Sequence, residues 1–145
     1  MEGCFTLMLG FEAGISLDYQ AALVRDEDIS WISVNSSKQD RKAATSLLVH
    51  SSNSWATKHE NLDRDEALQH LLTQTSLVIG QDVSHAGHKA IHQWRYANSP
   101  KRSGETYFID HTARSGACGD WPIKGRVEAA FTSGYSIAQD ILRQL

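Results

Sequence analysis

Cysteine and proline are scarce in this sequence. Its two cysteines, Cys4 and Cys118, are far apart and in no C-x-x-C arrangement, which excludes a disulfide framework and a cysteine-based zinc site. Two reduced, mostly buried thiols in a cytoplasmic protein are what that usage predicts. The two prolines, Pro100 and Pro122, leave no Pro-rich linker. Charge of one sign is also lacking: 14 Lys+Arg stand against 17 Asp+Glu, a net charge of -3, with no basic block. The nearest approach to one, Lys101-Arg102 beside Pro100 and Gly104, reads as a turn, so a nucleic-acid partner is not expected. No apolar run approaches the ~20 residues that span a bilayer. The apolar stretch at residues 4–11 follows Glu2 without a positive flank, so neither a membrane partner nor a signal peptide is expected.

What is present is ordinary for a soluble globular chain: 145 residues, 41% hydrophobic and 21% charged. At that length, folding removes about 70% of the unfolded chain's surface from water, enough for a real core. The first half reads as short strands at residues 4–10, 21–25, 30–35 and 46–50, the last two on their β-branched and aromatic content. Asp26-Glu27-Asp28 suits a hairpin turn between two of them, and residues 36–45 a longer loop or the start of a crossover. Asp63 with Glu66 forms a capping box, Leu62 and Ala67 a hydrophobic staple, and Leu68, Leu71 and Leu72 continue one apolar face of the helix that follows. Residues 88–97 return to strand character and 107–110 form another strand, with a hairpin loop at 100–104 between them.

The last element is a helix of about five turns. Val127, Ala130, Phe131, Gly134, Tyr135, Ala138, Ile141, Leu142 and Leu145 recur at helical spacing as one apolar stripe. Gly134 costs about 1 kcal/mol against alanine there, and close packing against a neighbour is the reason expected for it. The fold class expected is α+β, a mainly antiparallel sheet with flanking helices and a long C-terminal helix.

Chemistry concentrates just before that helix. A short apolar run ends at Gly119-Asp120, and a loop containing Gly125 leads into Val127. A helix N-terminus offers unpaired N–H groups and a positive dipole end, while a carboxylate accepts from hydroxyls; together they suit a polyol joined to an electron-rich ring. The other reading is a strand end and a helix start, nothing more. His85, His88 and His92 have the spacing of metal ligands on a helix, but Gly87 argues against a helix and no carboxylate or cysteine completes a tetrahedron; surface or core histidines are expected. Ser51 and Ser52 lack a G-x-S-x-G elbow, so a serine hydrolase is not indicated. Arg95 suits a carboxylate or phosphate fork, or a surface salt bridge.

Cys118-Gly119-Asp120-Trp121, then Gly125-Arg126-Val127-Glu128 and Ser133-Gly134, resemble the C-terminal flavin motif of the amine-oxidase-type flavoproteins. Trp31-Ile32-Ser33-Val34-Asn35-Ser36-Ser37-Lys38, Val49-His50-Ser51-Ser52-Asn53-Ser54-Trp55-Ala56 and Trp94-Arg95-Tyr96-Ala97 resemble the bacterial renalase-like subgroup of those enzymes. The resemblance implies FAD as cofactor, with Gly119, Asp120, Arg126, Val127 and Glu128 as its contacts: Asp120 on the ribityl hydroxyls, and the backbone at 126–128 on the flavin pyrimidine edge. It implies a substrate-domain sheet over residues 1–112, a strand-loop-helix of an FAD-binding layer over 113–145, and Trp94 and Tyr96 lining a cavity for a small-molecule substrate. The alternative for those two is as core aromatics of a strand. The activity implied is oxidation of an amine or a dihydronicotinamide-like substrate by hydride transfer to flavin; the alternative is an inactive binding module that keeps the fold.

Two departures qualify it. Lys124 and Ala129 stand where the family pattern has glycine. No two glycines lie two residues apart, so the G-x-G-x-x-G that holds the FAD pyrophosphate is absent from this sequence. The partners implied are a chain supplying that dinucleotide fold, or a second copy meeting it through the C-terminal helix; folding that helix over the chain's own sheet is the third outcome.

Overall fold

A computed structural model describes residues 1–41 and 44–143. The chain divides into two compact units, Gly3–Arg95 and Met1–Glu2 with Tyr96–Leu145, each considered by itself. Strands β1 (Glu2–Phe11), β2 (Ala21–Leu23), β3 (Ile29–Val34), β4 (Thr45–Ser51) and β5 (His88–Asn98) form one sheet in the order β2-β3-β4-β1-β5. The pairs β2–β3, β3–β4 and β4–β1 are antiparallel, and with its flanking helices the fold is the α+β class expected.

Alternation decides which face of the sheet is buried. Phe5, Leu7, Leu9 and Phe11 of β1 share one core with Leu47 and Val49 of β4 and Ile91 of β5. Helices α1 (Asn53–Lys58) and α2 (Arg64–Ile79) cover that face through Trp55, Ala56, Ala67, Leu71 and Leu72. On β3 both Ile29 and Ile32 are fully buried, three residues apart, which a strict period of two forbids. A bulge reconciles them: Ile29 pairs with Ser51 and Trp31 with His50, leaving Ser30 as the extra residue. Trp31 and Ser33 are thereby turned to the opposite, outer face, in register with His50 and Leu48.

Helix α2 starts where its cap was expected. Asp63 Oδ1 accepts from the N–H groups of Asp65 (2.8 Å) and Glu66 (3.3 Å), and Gly80 ends the helix in the left-handed region at φ 68°. Asp26, also left-handed at φ 62°, turns the β2–β3 hairpin. Helix α1 has no counterpart in the sequence reading. Its six residues are too short for a helical period to show, and Ser52 Oγ caps it by accepting from Trp55 N–H.

In the other unit, β6 (Phe108–Asp110) pairs antiparallel with β7 (Ser115–Ala117), and helix α3 (Val127–Leu142) follows. This corrects the hairpin expected across residues 100–104: the partner of β6 is the next strand, not β5. Its turn is built by Asp110, whose Oδ1 accepts from Thr112 and Ala113 N–H at 2.9 Å each. The apolar stripe of α3 also behaves differently from a packing face. The buried positions are Ala129, Ser133 and Ile137, one row of i, i+4 and i+8. Val127, Phe131, Tyr135, Ile141 and Leu142 are exposed, from 46% at Ile141 to 84% at Val127; Leu145 lies outside the described residues. Small side chains and a serine make the contact instead: Ser133 Oγ donates to Thr106 O and accepts from Gly119 N–H at 3.1 Å. Gly134 has no tight neighbour, since a Cβ there would meet Cys118 Sγ at 3.9 Å, an ordinary contact.

Candidate functional site

The segment singled out before α3 is a closed loop held by main-chain bonds. Ile123 and Lys124 N–H donate to Asp120 O at 3.1 and 2.9 Å, Gly125 N–H donates to Ser99 O at 3.1 Å, and Arg102 N–H donates to Ile123 O at 2.8 Å. Gly125 is required by contact: a Cβ there would stand 2.9 Å from the Ser99 backbone nitrogen. The loop brings Asp120 next to the start of α3, with its Oδ2 3.7 Å from that same Cβ position. Asp120 is exposed, as are Arg126, Val127 and Glu128. Arg126 is the N-cap in extended geometry with no side-chain cap bond, so the first N–H groups of α3 lack that partner. Gly119 differs from the others, because its N–H already donates to Ser133 Oγ and serves the fold. A hydroxyl-bearing ligand has a carboxylate acceptor and main-chain donors side by side here.

Trp94 and Tyr96 are exposed, 53% and 76%, which rules out the core-aromatic alternative. Trp94 belongs to the Gly3–Arg95 unit, whereas Tyr96, Gly119, Asp120 and Arg126–Glu128 belong to the other. The remaining sequence candidates have local roles. Ser51 Oγ accepts from Phe5 N–H at 2.9 Å, and Ser52 caps α1. His85 packs its ring against Phe11, with centroids 5.3 Å apart, while His88 and His92 are exposed on β5. Among the described residues, no group of three or more His, Cys, Asp or Glu side chains could hold a metal ion. Cys118 is exposed, against the expectation of two mostly buried thiols, and only Cys4 is buried.

The sequence reading did not find the polar row on the outer face of the sheet. Across β3, β4, β1 and β5 stand Trp31, His50, Thr6 and Trp94. Trp31 faces His50 and His50 faces Thr6 in register. Trp94 Nε1–H donates to Thr6 Oγ1 at 3.0 Å, and Thr6 Oγ1 lies 2.9 Å from His50 Nδ1. Thr6 is buried and His50 half-buried; burial first, then the positive charge of Lys38, lowers the imidazole's pKa. Cys4 Sγ stands 3.7 Å from the same Nδ1, its pKa raised chiefly by burial. One step along the face, Ser33 is 5% exposed and its Oγ has no hydrogen-bond partner among the described residues. The signal was a threonine at an alternate position of an otherwise apolar strand, opposite a histidine in another. Single-strand periodicity cannot show which strands will be neighbours. No family model matches the chain.

Proposed function

We propose that this chain contributes the substrate-facing sheet and the flavin-facing helix of an FAD-dependent oxidoreductase of the renalase-like type. One observation carries the reading: the exposed carboxylate of Asp120 beside the start of α3, where no side chain caps the helix, joined by a loop that only glycine at 125 allows to close. Those groups fit the ribityl and ring end of FAD, Asp120 accepting from hydroxyls and the N–H groups of Val127 and Glu128 donating to the ring edge. FAD bound there supplies the hydride acceptor for an amine or dihydronicotinamide-like substrate. Tyr96, in the same unit as Asp120, supplies exposed aromatic surface for that substrate. The pyrophosphate grip has to come from another polypeptide segment, since the glycine-rich loop is not in this sequence. Two free thiols support a cytoplasmic setting.

Titration of the purified chain with FAD, followed by flavin fluorescence, tests the reading. Weak, saturable association without a stoichiometric yellow chromophore is expected, because a ligand must offset several kcal/mol of lost freedom without its phosphate contacts. Asp120→Ala should weaken it about ten- to a hundredfold, the effect of one charge-assisted hydrogen bond. Identical titrations for the two proteins would sink the assignment.

A second reading, an interaction module without activity, is favoured by the exposed stripe of α3. Contiguous apolar surface of this kind marks association surfaces. Its partner is a second copy or a chain carrying the dinucleotide fold.

A further inference from the structure

We infer that the outer face of the sheet in the Gly3–Arg95 unit is a binding site for a planar aromatic ring bearing an anionic hydrogen-bond acceptor, seated on His50 between Trp31 and Trp94. The site's chemistry follows from where protons can go. An indole N–H only donates, so Thr6 Oγ1 is the acceptor in its bond to Trp94. Thr6 is buried; its hydroxyl also meets the Cys4 sulfur, a weak acceptor, so the imidazole nitrogen Nδ1 of His50 at 2.9 Å is the group that receives its proton. Nδ1 is therefore the acceptor, and the ring proton of the neutral imidazole sits on Nε2. Among the described residues that nitrogen has no hydrogen-bond partner, and it is not among the buried polar atoms left unpaired, so it reaches the surface as a fixed donor.

Three further observations give the ligand its character. Trp31 is directly opposite His50 in the sheet and remains 38% exposed, and Trp94 is exposed on the other side of Thr6. Two indoles flanking one imidazole favour a flat ring, because stacking needs a π-face. The electrostatic effect of Lys38 on His50 disfavours a cation and favours an anion at this spot. The orphaned Ser33 Oγ, 95% buried by its 5% exposure and diagonal to His50 on the same face, is a second polar atom wanting a partner. The site stands on the sheet alone, and its test uses no flavin, so its failure and that of the oxidoreductase reading are distinct.

The probe is benzoate, titrated into the full chain with the indole N–H resonances followed by NMR. Saturable shifts at Trp31 and Trp94 with a millimolar dissociation constant are expected, as befits a ligand of few atoms. Benzylamine and cyclohexanecarboxylate should bind at least about tenfold more weakly, since one carries the wrong charge and the other no π-face. Nitrogen-15 shifts of His50 at neutral pH should show the proton on Nε2. His50→Leu should lose about tenfold in affinity, while His50→Gln, which keeps an N–H donor, should retain most of it. Trp31→Ala, at a position 38% exposed, should also weaken binding. Unmoved indole resonances, benzylamine binding as tightly as benzoate, a proton on Nδ1, or wild-type affinity in His50→Leu would each overturn the site.

Discussion

The two cysteines show how far environment separates identical side chains. Burial raises the Cys4 thiol pKa, outweighing hydrogen bonds from Ser51 and Thr6 that lower it, whereas Cys118 is exposed. Since the thiolate is the reactive form, a thiol reagent should modify Cys118 rapidly in the native protein and Cys4 only on unfolding. Cys118→Ser should abolish the rapid phase, and rapid loss of both thiols would contradict the burial. His50 sets a pH dependence in the same way. Its pKa is lowered in the fold, so protons bind the unfolded chain more readily as acid is added. Its contribution to stability is present above the ordinary value of 6.5 and is lost as pH falls through that value towards the lower folded one. Urea unfolding of His50→Gln should show a shallower decline below pH 6.5 than the wild type. Trp55 is the residue with the most to lose. Its indole stacks between His59 and His70, with centroids at 4.7 and 4.9 Å, and meets Phe5 edge-on at 5.4 Å. Trp55→Ala should cost about 3–5 kcal/mol in urea unfolding, by lost burial and the cavity it leaves.

Among the elements, those that declare their own ends in sequence were legible. Helix α2 has an acidic cap at Asp63 and a glycine at 80, and both do what those residues do locally. Asp63→Ala should destabilise by about 1 kcal/mol, measured as a shift in the urea midpoint at constant slope. Strands β1, β3 and β4 were legible within about two residues at each end, β3 and β4 on their β-branched and aromatic content. Helix α1 was hidden because six residues carry no period, and the β6–β7 pairing because strand partners are chosen by tertiary contact. The periodicity of α3 correctly gave a helix and misplaced its packed side. Apolar residues at 127, 131 and 135 mark a face that wants burial, but Ala129 and Ser133 let the helix approach closely, and Gly116 leaves room where Ile137 lies. Of the residues proposed to hold flavin, Asp120 and the helix start could be named from the sequence because both features are local. The outer row from Trp31 to Trp94 depends on three strand pairings and could not be read from one strand at a time.

For the molecule as a whole, the α3 stripe is the feature with the largest energetic stake. Fully burying a side chain such as Phe131 or Leu142 is worth about 1.5–3 kcal/mol, so several left in water favour association. Light scattering of the purified chain should show mass rising with concentration in the micromolar range, and Phe131→Glu should return it to a monomer. A wild-type chain that stays monomeric throughout would remove the interaction-module reading. No helix among the described residues is long and apolar enough to cross a membrane, so a bilayer-spanning helix there is not what covers the stripe. The bulge at Ser30 has a different consequence, for which changes the gene can tolerate. The bulge absorbs one surplus residue, so Ile29 stays in the core and Trp31 faces away from it although the count of residues between Ile29 and Ile32 does not fit a period of two. Point substitutions at Ser30 leave that count intact and should be accepted widely. Deletion of Ser30 leaves Ile29 and Ile32 only two positions apart, with Trp31 between them on the outer face and no bulge to place it. The two isoleucines then share the inner face by simple alternation, and what is lost is the local twist and the Ser30 Oγ bond to Ser51 O at 2.8 Å. The strand should survive as a strand, with the indole still on the outer face. A deletion at this one position is thus a change the core can absorb, its loss confined to one bond and a local twist rather than reaching the inner face.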